Sequence, residues 1–296
     1  MIARARAVAG GQPLGLVGIG DDAAVSADGT VVTVDTMVEG VHWDDHLSPA
    51  DVGYKLVATN VSDLDATGAR PEWAVLALSL PRPLSRDWVD RFFEGVAEAR
   101  ARWPFALLGG DTTRSPGPRV ATLTLAGRAR SPVLRAGALP GDDVWVTGRI
   151  GLAATGFLDP AAGDEARAAL RRPPVPAPFG ARLGEAALVS AMVDLSDGLA
   201  RDLARLCRAS GVGVLVDPAR LPTLAPLHWA VAFGDDYQLC FTAPPSHRAA
   251  IESLAATAPV AVTAIGTITA TPAILLAGHP AWPAPVFDHF DRAQAP

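Results

Sequence analysis

Residues 30–38, Thr-Val-Val-Thr-Val-Asp-Thr-Met-Val, decide the reading of the fold, because their side chains alternate as a strand requires. Val31, Thr33, Asp35 and Met37 share one face, and Val32, Val34, Thr36 and Val38 share the other. Thr33 and Asp35 therefore project together. Downstream, Ser48-Pro49-Ala50-Asp51 opens a helix: Ser48 is the N-cap, Pro49 takes the first helical position and Asp51 closes a capping-box-like pair. Gly68 and Pro71 stop that helix, with Asn60 and Asp63 one turn apart near its end.

Working outward, residues 73–81 read as a buried strand, and Ser85 caps a helix whose Trp88, Phe92, Val96 and Ala99 form a core stripe. Residues 105–111 are a short apolar run ending in a glycine pair, and residues 119–129 alternate as another strand. The first part is thus an α+β unit. A turn through Pro140-Gly141-Asp142 then starts a new strand, which places a domain boundary near Ser131, dividing the chain into residues 1–131 and 132–296. In the second part, residues 159–182 mix a helix with extended loop. Residues 193–211 are a strand end followed by a helix with a Leu199, Leu203, Leu206 seam and a stop at Gly211. Strands at 211–217, 238–243 and 260–266 surround a helix near 247–256.

A composition that is 49% hydrophobic and 19% charged supports a globular protein with a large core. The formal charge of −6 supplies no basic field for nucleic acid or anionic lipid. The basic residues are nearly all Arg, and Lys55 is the only lysine. Cys207 and Cys240 lack metal-ligand spacing and read as reduced core thiols, which predicts a cytoplasmic setting. The apolar stretch at the start is too short for a signal peptide, and no run approaches a membrane span.

Five stretches place Asp beside Gly, Ser or Thr at the edge of an apolar segment: residues 18–25, 33–43, 60–68, 107–115 and 193–199. Each alone reads as a turn or cap. Their recurrence points instead to carboxylates that converge and need cations between them, for which Mg²⁺ with phosphate oxygens is the ordinary solution. Thr33 adds a hard oxygen, and Gly109 and Gly110 before Asp111 leave room for a phosphate to approach the backbone. There is no lysine-bearing phosphate loop, protein-kinase motif set, H-E-x-x-H or G-x-S-x-G. His42 and Trp43 read equally as a substrate-holding pair or a partly buried surface pair.

In order, GIGDD (18–22), residues 33–43, 54–81, 107–115, 135–148, 193–199, 234–242 and FDHF (287–290) resemble the thiamine-monophosphate kinases. That family shares a superfamily with aminoimidazole ribonucleotide synthetase and selenophosphate synthetase. The resemblance implies an α+β fold: an N-terminal α/β domain contributing to a dimeric β-barrel, followed by a C-terminal α/β domain. It implies a homodimer and direct in-line transfer from ATP to thiamine monophosphate, with several Mg²⁺ ions. Position by position, it implies metal ligation by Asp22, Thr33, Asp35, Asp63, Asp111, Asp194 and Asp197, with Asp35, Asp63 and Asp111 catalytic. Phe93, Gly110, Asp111, Arg135 and Ser196 match ATP positions, and His42, Asp235 and Phe287 match substrate positions.

The chain departs from the family pattern at several places. Val34 replaces a hydroxyl residue, so its metal contact must use the backbone carbonyl; Phe233 stands where Gly is usual; Asp235 replaces Glu; Asp65 is an extra acid that reads as solvated. Two alternatives stay open: a sibling enzyme with a different acceptor, and a non-catalytic nucleotide-binding relative. The sibling reading is disfavoured by the lack of a reactive cysteine near either end.

Overall fold

The computed structural model describes residues 2–10 and 16–284. The first half runs α1 (Ile2–Ala9), β1 (Ala24–Val25), β2 (Thr30–Val38), α2 (Pro49–Ala66), β3 (Ala69–Leu80), α3 (Arg86–Arg102), β4 (Ala106–Arg114) and β5 (Val120–Ala129). Its strands form one sheet in the order β1-β2-β5-β3-β4, antiparallel except for the parallel β3–β4 pair. The second half begins with β6 (Asp143–Thr147), α4 (Leu152–Leu158), α5 (Asp164–Arg171), α6 (Phe179–Glu185), β7 (Ala191–Asp194) and α7 (Leu199–Ser210). It continues with β8 (Gly213–Val216), α8 (Leu227–Ala232), β9 (Leu239–Ala243), α9 (Arg248–Ala256), β10 (Val262–Thr269) and β11 (Ile274–Leu276). Its sheet has the order β11-β8-β10-β6-β9-β7. The fold is mixed α+β with two sheets, and neither sheet closes on itself among the described residues.

Helix α2 is the pivot. The Ser48 hydroxyl accepts from Asp51 N while the Asp51 carboxylate accepts from Ser48 N, and such a cap contributes about 1 kcal/mol. The helix is buried along most of its length, since it packs against β2, β3 and β5 on one side and against α5, α6 and β7 of the second half on the other. A helix covered all round tolerates the apolar residues that α2 carries on every face. Its polar residues then have to be satisfied internally, and several of them build the site described below.

Residues 73–81 prove half open: Ala74, Leu76, Leu78 and Leu80 are buried, whereas Val75 and Ala77 are exposed. Helices cover only one face of this sheet, so β3 alternates where a continuous apolar run suggests full burial. Asp65 is also not solvated. Its side chain is fully buried and accepts from Gly180 N at 3.0 Å and Ala181 N at 3.1 Å, capping α6 across the junction between the halves. Burial raises its pKa to about 6.

Candidate active site

Three carboxylates meet where the two sheets approach α2. Asp22 comes from the segment before β1, Asp63 from the last turn of α2 and Asp194 from the end of β7. One oxygen from each lies within 4.8 Å of the others. Thr33 Oγ1 on β2 donates to Asp63 Oδ2 at 2.6 Å, and Ser62 Oγ donates to Asp194 Oδ2 at 2.7 Å. Arg135 Nε donates to Asp22 Oδ1 at 3.1 Å, and a second guanidinium nitrogen binds the same oxygen. The other oxygen, Asp22 Oδ2, is buried without a hydrogen-bond partner.

Like charges held together away from water resist ionisation. Burial, followed by the charges of Asp35, Asp194 and Asp22, raises Asp63 well above the usual carboxylate range. Burial, then Asp22 and Asp202, does the same to Asp194. Burial pushes Asp22 up to about 6 against the opposing pull of Arg135. Asp35 is also raised, chiefly by burial, although a hydrogen bond from Thr59 opposes this. An all-oxygen donor set with an orphaned buried oxygen and too little positive charge fits a hard divalent cation.

Asp63 also lines a cavity of about 340 Å³, which it shares with Asp35, His42, Lys55, Asp197 and Asp235. His42 Nδ1 accepts from Val38 N at 3.0 Å, so a neutral ring carries its proton on Nε2. Asp197 is ion-paired with Arg205 at 2.5 Å, and its backbone N–H donates to the buried Asp202 at 2.8 Å. Ser196, Phe233 and Tyr237 contribute further wall. Asp235 and Tyr237 have φ of 65° and 49°, in the left-handed region that costs a non-glycine residue energy. Backbone bonds of 2.9 Å from Asp235 N to Ser196 O and from Tyr237 N to Leu195 O hold that geometry. Gly234 lets the two loops meet, since a Cβ there would lie 2.4 Å from Ser196 O. The Phe233 ring in that wall lies 5.7 Å from Phe157, which in turn lies 5.3 Å from His46.

Not every expected residue converges. Asp111 stands apart, with Phe93 and Gly110, at a separate cavity of about 450 Å³. Strand pairing aligns Thr36, Thr122, Ala77 and Asp111 in one row, so Asp111 faces the open side of the sheet, opposite to Asp35. The expectation that one chain gathers all five acidic stretches is corrected accordingly. Gly110 has a local reason to be glycine: a Cβ would meet the Leu76 carbonyl at 1.6 Å. Val34 is 59% exposed on the open face, leaving only its backbone near the carboxylates. Trp43 is buried in the core and borders a different cavity from His42, so it is no stacking partner in the acidic cavity. Phe287 lies outside the described residues.

Lys55, Ser62 and Arg205 are site residues that motif reading passes over. Lys55, Thr59 and Asp63 recur every four residues along α2 and all line the cavity, and that spacing is the signal that could have found Lys55.

The family description AIR synthase related protein, N-terminal domain, matches residues 20–129, and its C-terminal domain counterpart matches residues 140–276. Thiamine-monophosphate kinase of Salmonella typhimurium is 37% identical over 281 residues, covering 86% of this chain and 84% of the relative. The chain belongs to the thiamine-monophosphate kinase family. A solved structure from this family, from Stenotrophomonas maltophilia, shares 36% identity with a TM-score of 0.79, covering 94% of this chain and 95% of that one. The structure of AaThiL complexed with AMPPCP and TMP shares 28% identity with a TM-score of 0.80, covering 90% of each chain. Among the described residues, no helix is long and apolar enough to cross a membrane.

Proposed function

We propose that this chain moves the γ-phosphoryl group of ATP onto the phosphate of thiamine monophosphate, forming thiamine diphosphate and ADP. The observation that carries the reading is the double membership of Asp63, which belongs both to the three-carboxylate cluster and to the cavity that holds His42 and Asp235. Relatives that bear the kinase name, and a similar protein complexed with AMPPCP and TMP, support it.

The acceptor phosphate is already anionic near neutral pH, so its oxygen attacks without a general base. A bond forms from that oxygen to the γ-phosphorus, the bond from the γ-phosphorus to the bridging oxygen breaks, and the electron pair leaves on ADP. The protein's task is to align two phosphates and offset their charge. Asp22, Thr33, the Val34 carbonyl, Asp35, Asp63, Asp194 and Asp197 of one subunit, with Asp111 of the partner subunit, would hold the Mg²⁺ ions that supply that offset. In this reading Arg135, which here neutralises Asp22, turns toward ATP together with Ser196, while Phe93 and Gly110, which stand beside Asp111 at the separate cavity, border the nucleotide across the same subunit boundary as Asp111. His42, Asp235 and Phe287 hold the acceptor in this reading.

A homodimer sharing a barrel belongs to the same reading. Val34 and Val75 expose apolar surface on the open face of the first sheet, and Asp111 stands on that face. Asp111 of the partner subunit is accordingly assigned to this chain's site. The division into residues 1–131 and 132–296 and a cytoplasmic setting complete the proposal.

Coupled ADP release with Mg²⁺, measured with and without thiamine monophosphate, tests it. Acceptor-dependent turnover is the expected result. Nucleotide binding without such turnover would favour a non-catalytic relative instead.

A further inference from the structure

Lys55 is the only lysine in the chain, and it is buried, with 3% of its surface exposed. Besides His42, it is the only basic side chain among the described residues that line the acidic cavity. Its ammonium donates to Leu170 O at 3.1 Å, at the end of α5, and is in direct contact with Asp235 Oδ2. The Tyr237 hydroxyl hydrogen-bonds the same carboxylate. One cation thus ties α2, α5 and the left-handed loop at Asp235 together.

We propose that Lys55 is a positioning residue for Asp235, holding that carboxylate in place and away from the metal-binding acids so that it can receive the amino-bearing end of the acceptor. The proposal rests on the kinase reading above and names a residue that sets acceptor affinity. Its physical basis is a sorting problem. The cavity wall carries Asp35, Asp63, Asp197 and Asp235, and an unanchored fourth carboxylate would swing to the cations as one more ligand. A buried ammonium in direct contact prevents this. Asp235 is a methylene shorter than the family's Glu, so its reach depends on the anchor more than a longer side chain would.

Steady-state kinetics of Lys55→Met, Asp235→Asn and the double variant test the role. Each single change should raise KM for thiamine monophosphate about tenfold or more, with KM for ATP unmoved and kcat little changed. The double variant should be no worse than the weaker single, because the two residues act as one unit. A collapse of kcat at unchanged acceptor KM would overturn the proposal in favour of direct phosphate contact. A lower melting temperature with both constants unchanged would overturn it in favour of a purely structural pair.

Because there is one lysine, lysine labelled with ¹³C at Cε gives one side-chain resonance, which reads the contact without turnover. That signal should move on Asp235→Asn, and in the wild type on adding thiamine monophosphate. A signal indifferent to Asp235→Asn would overturn the pairing. Wild-type protein lacking acceptor-dependent ADP release would sink the kinase reading instead, while the response to Asp235→Asn would still report on the pair.

Discussion

Thr33 Oγ1 donates to Asp63 Oδ2 across 2.6 Å, joining β2 to the last turn of α2. The bond aims one oxygen of Asp63 and opposes, weakly, the burial and neighbouring charges that raise its pKa. Thr33→Val keeps the shape and removes the donor. Divalent-ion affinity or turnover should fall by ~10–100-fold, the usual cost of losing an orienting partner of a metal ligand. Mg²⁺ titration of turnover, and of the melting temperature, measures it. An unchanged Mg²⁺ dependence would remove Thr33 from the site.

Asp111 acts across the dimer in the proposed reading, and mixing variants can show this. Asp63→Asn and Asp111→Asn should each be inactive alone. Co-expressed, half of the dimers are hybrids, and each hybrid keeps one site with both acids intact, so about one quarter of wild-type activity should return. If the mixture stays inactive although hybrids are isolated, Asp111 does not serve the neighbouring site.

Much of this architecture is legible from residues alone, for local reasons. Residues 30–38 alternate because one face is buried, and the Ser48 cap is written in four consecutive residues. The pairing of Asp22, Asp63 and Asp194 is not local, and it becomes readable only through the resemblance. Where the resemblance is applied to one chain, it misleads at Asp111, because sheet register and not motif order decides which face a side chain takes. Asp65 is misread for a related reason: its partners, Gly180 and Ala181, lie 115 and 116 residues away, and nothing near Asp65 announces them. The short helices α4 and α8 and the three-residue β11 carry too few residues for periodicity to show.

Asp236 gives a pH signature separate from the carboxylate cluster. It is buried, accepts from Gly151 N at 2.8 Å, and is pushed up to about 7, first by burial. The folded value lies above the ordinary one, so the native state holds the extra proton between about pH 4 and 7. This group's contribution to stability is therefore full at low pH, falls as pH rises through that window and levels off above it. Asp236→Asn keeps an acceptor for Gly151 and does not titrate. Its stability relative to wild type should improve from pH 5 to pH 8, by no more than ~4 kcal/mol. Denaturant midpoints at the two values test this, and a pH-independent difference would count against a raised pKa.

Asp65 separates stability from catalysis. Its carboxylate serves the first two N–H groups it meets at the start of α6, and Asp65→Ala would leave both buried donors without their partner. Loss of that cap should cost about 1–3 kcal/mol and lower the melting temperature by several degrees. KM for ATP and for thiamine monophosphate should hold at temperatures where the variant stays folded, because Asp65 lines neither the acidic cavity nor the one at Asp111. A rise in either constant at such a temperature would show that the α2–α6 junction transmits to the site, and that the cap aligns the two halves around the substrates as well as holding them together.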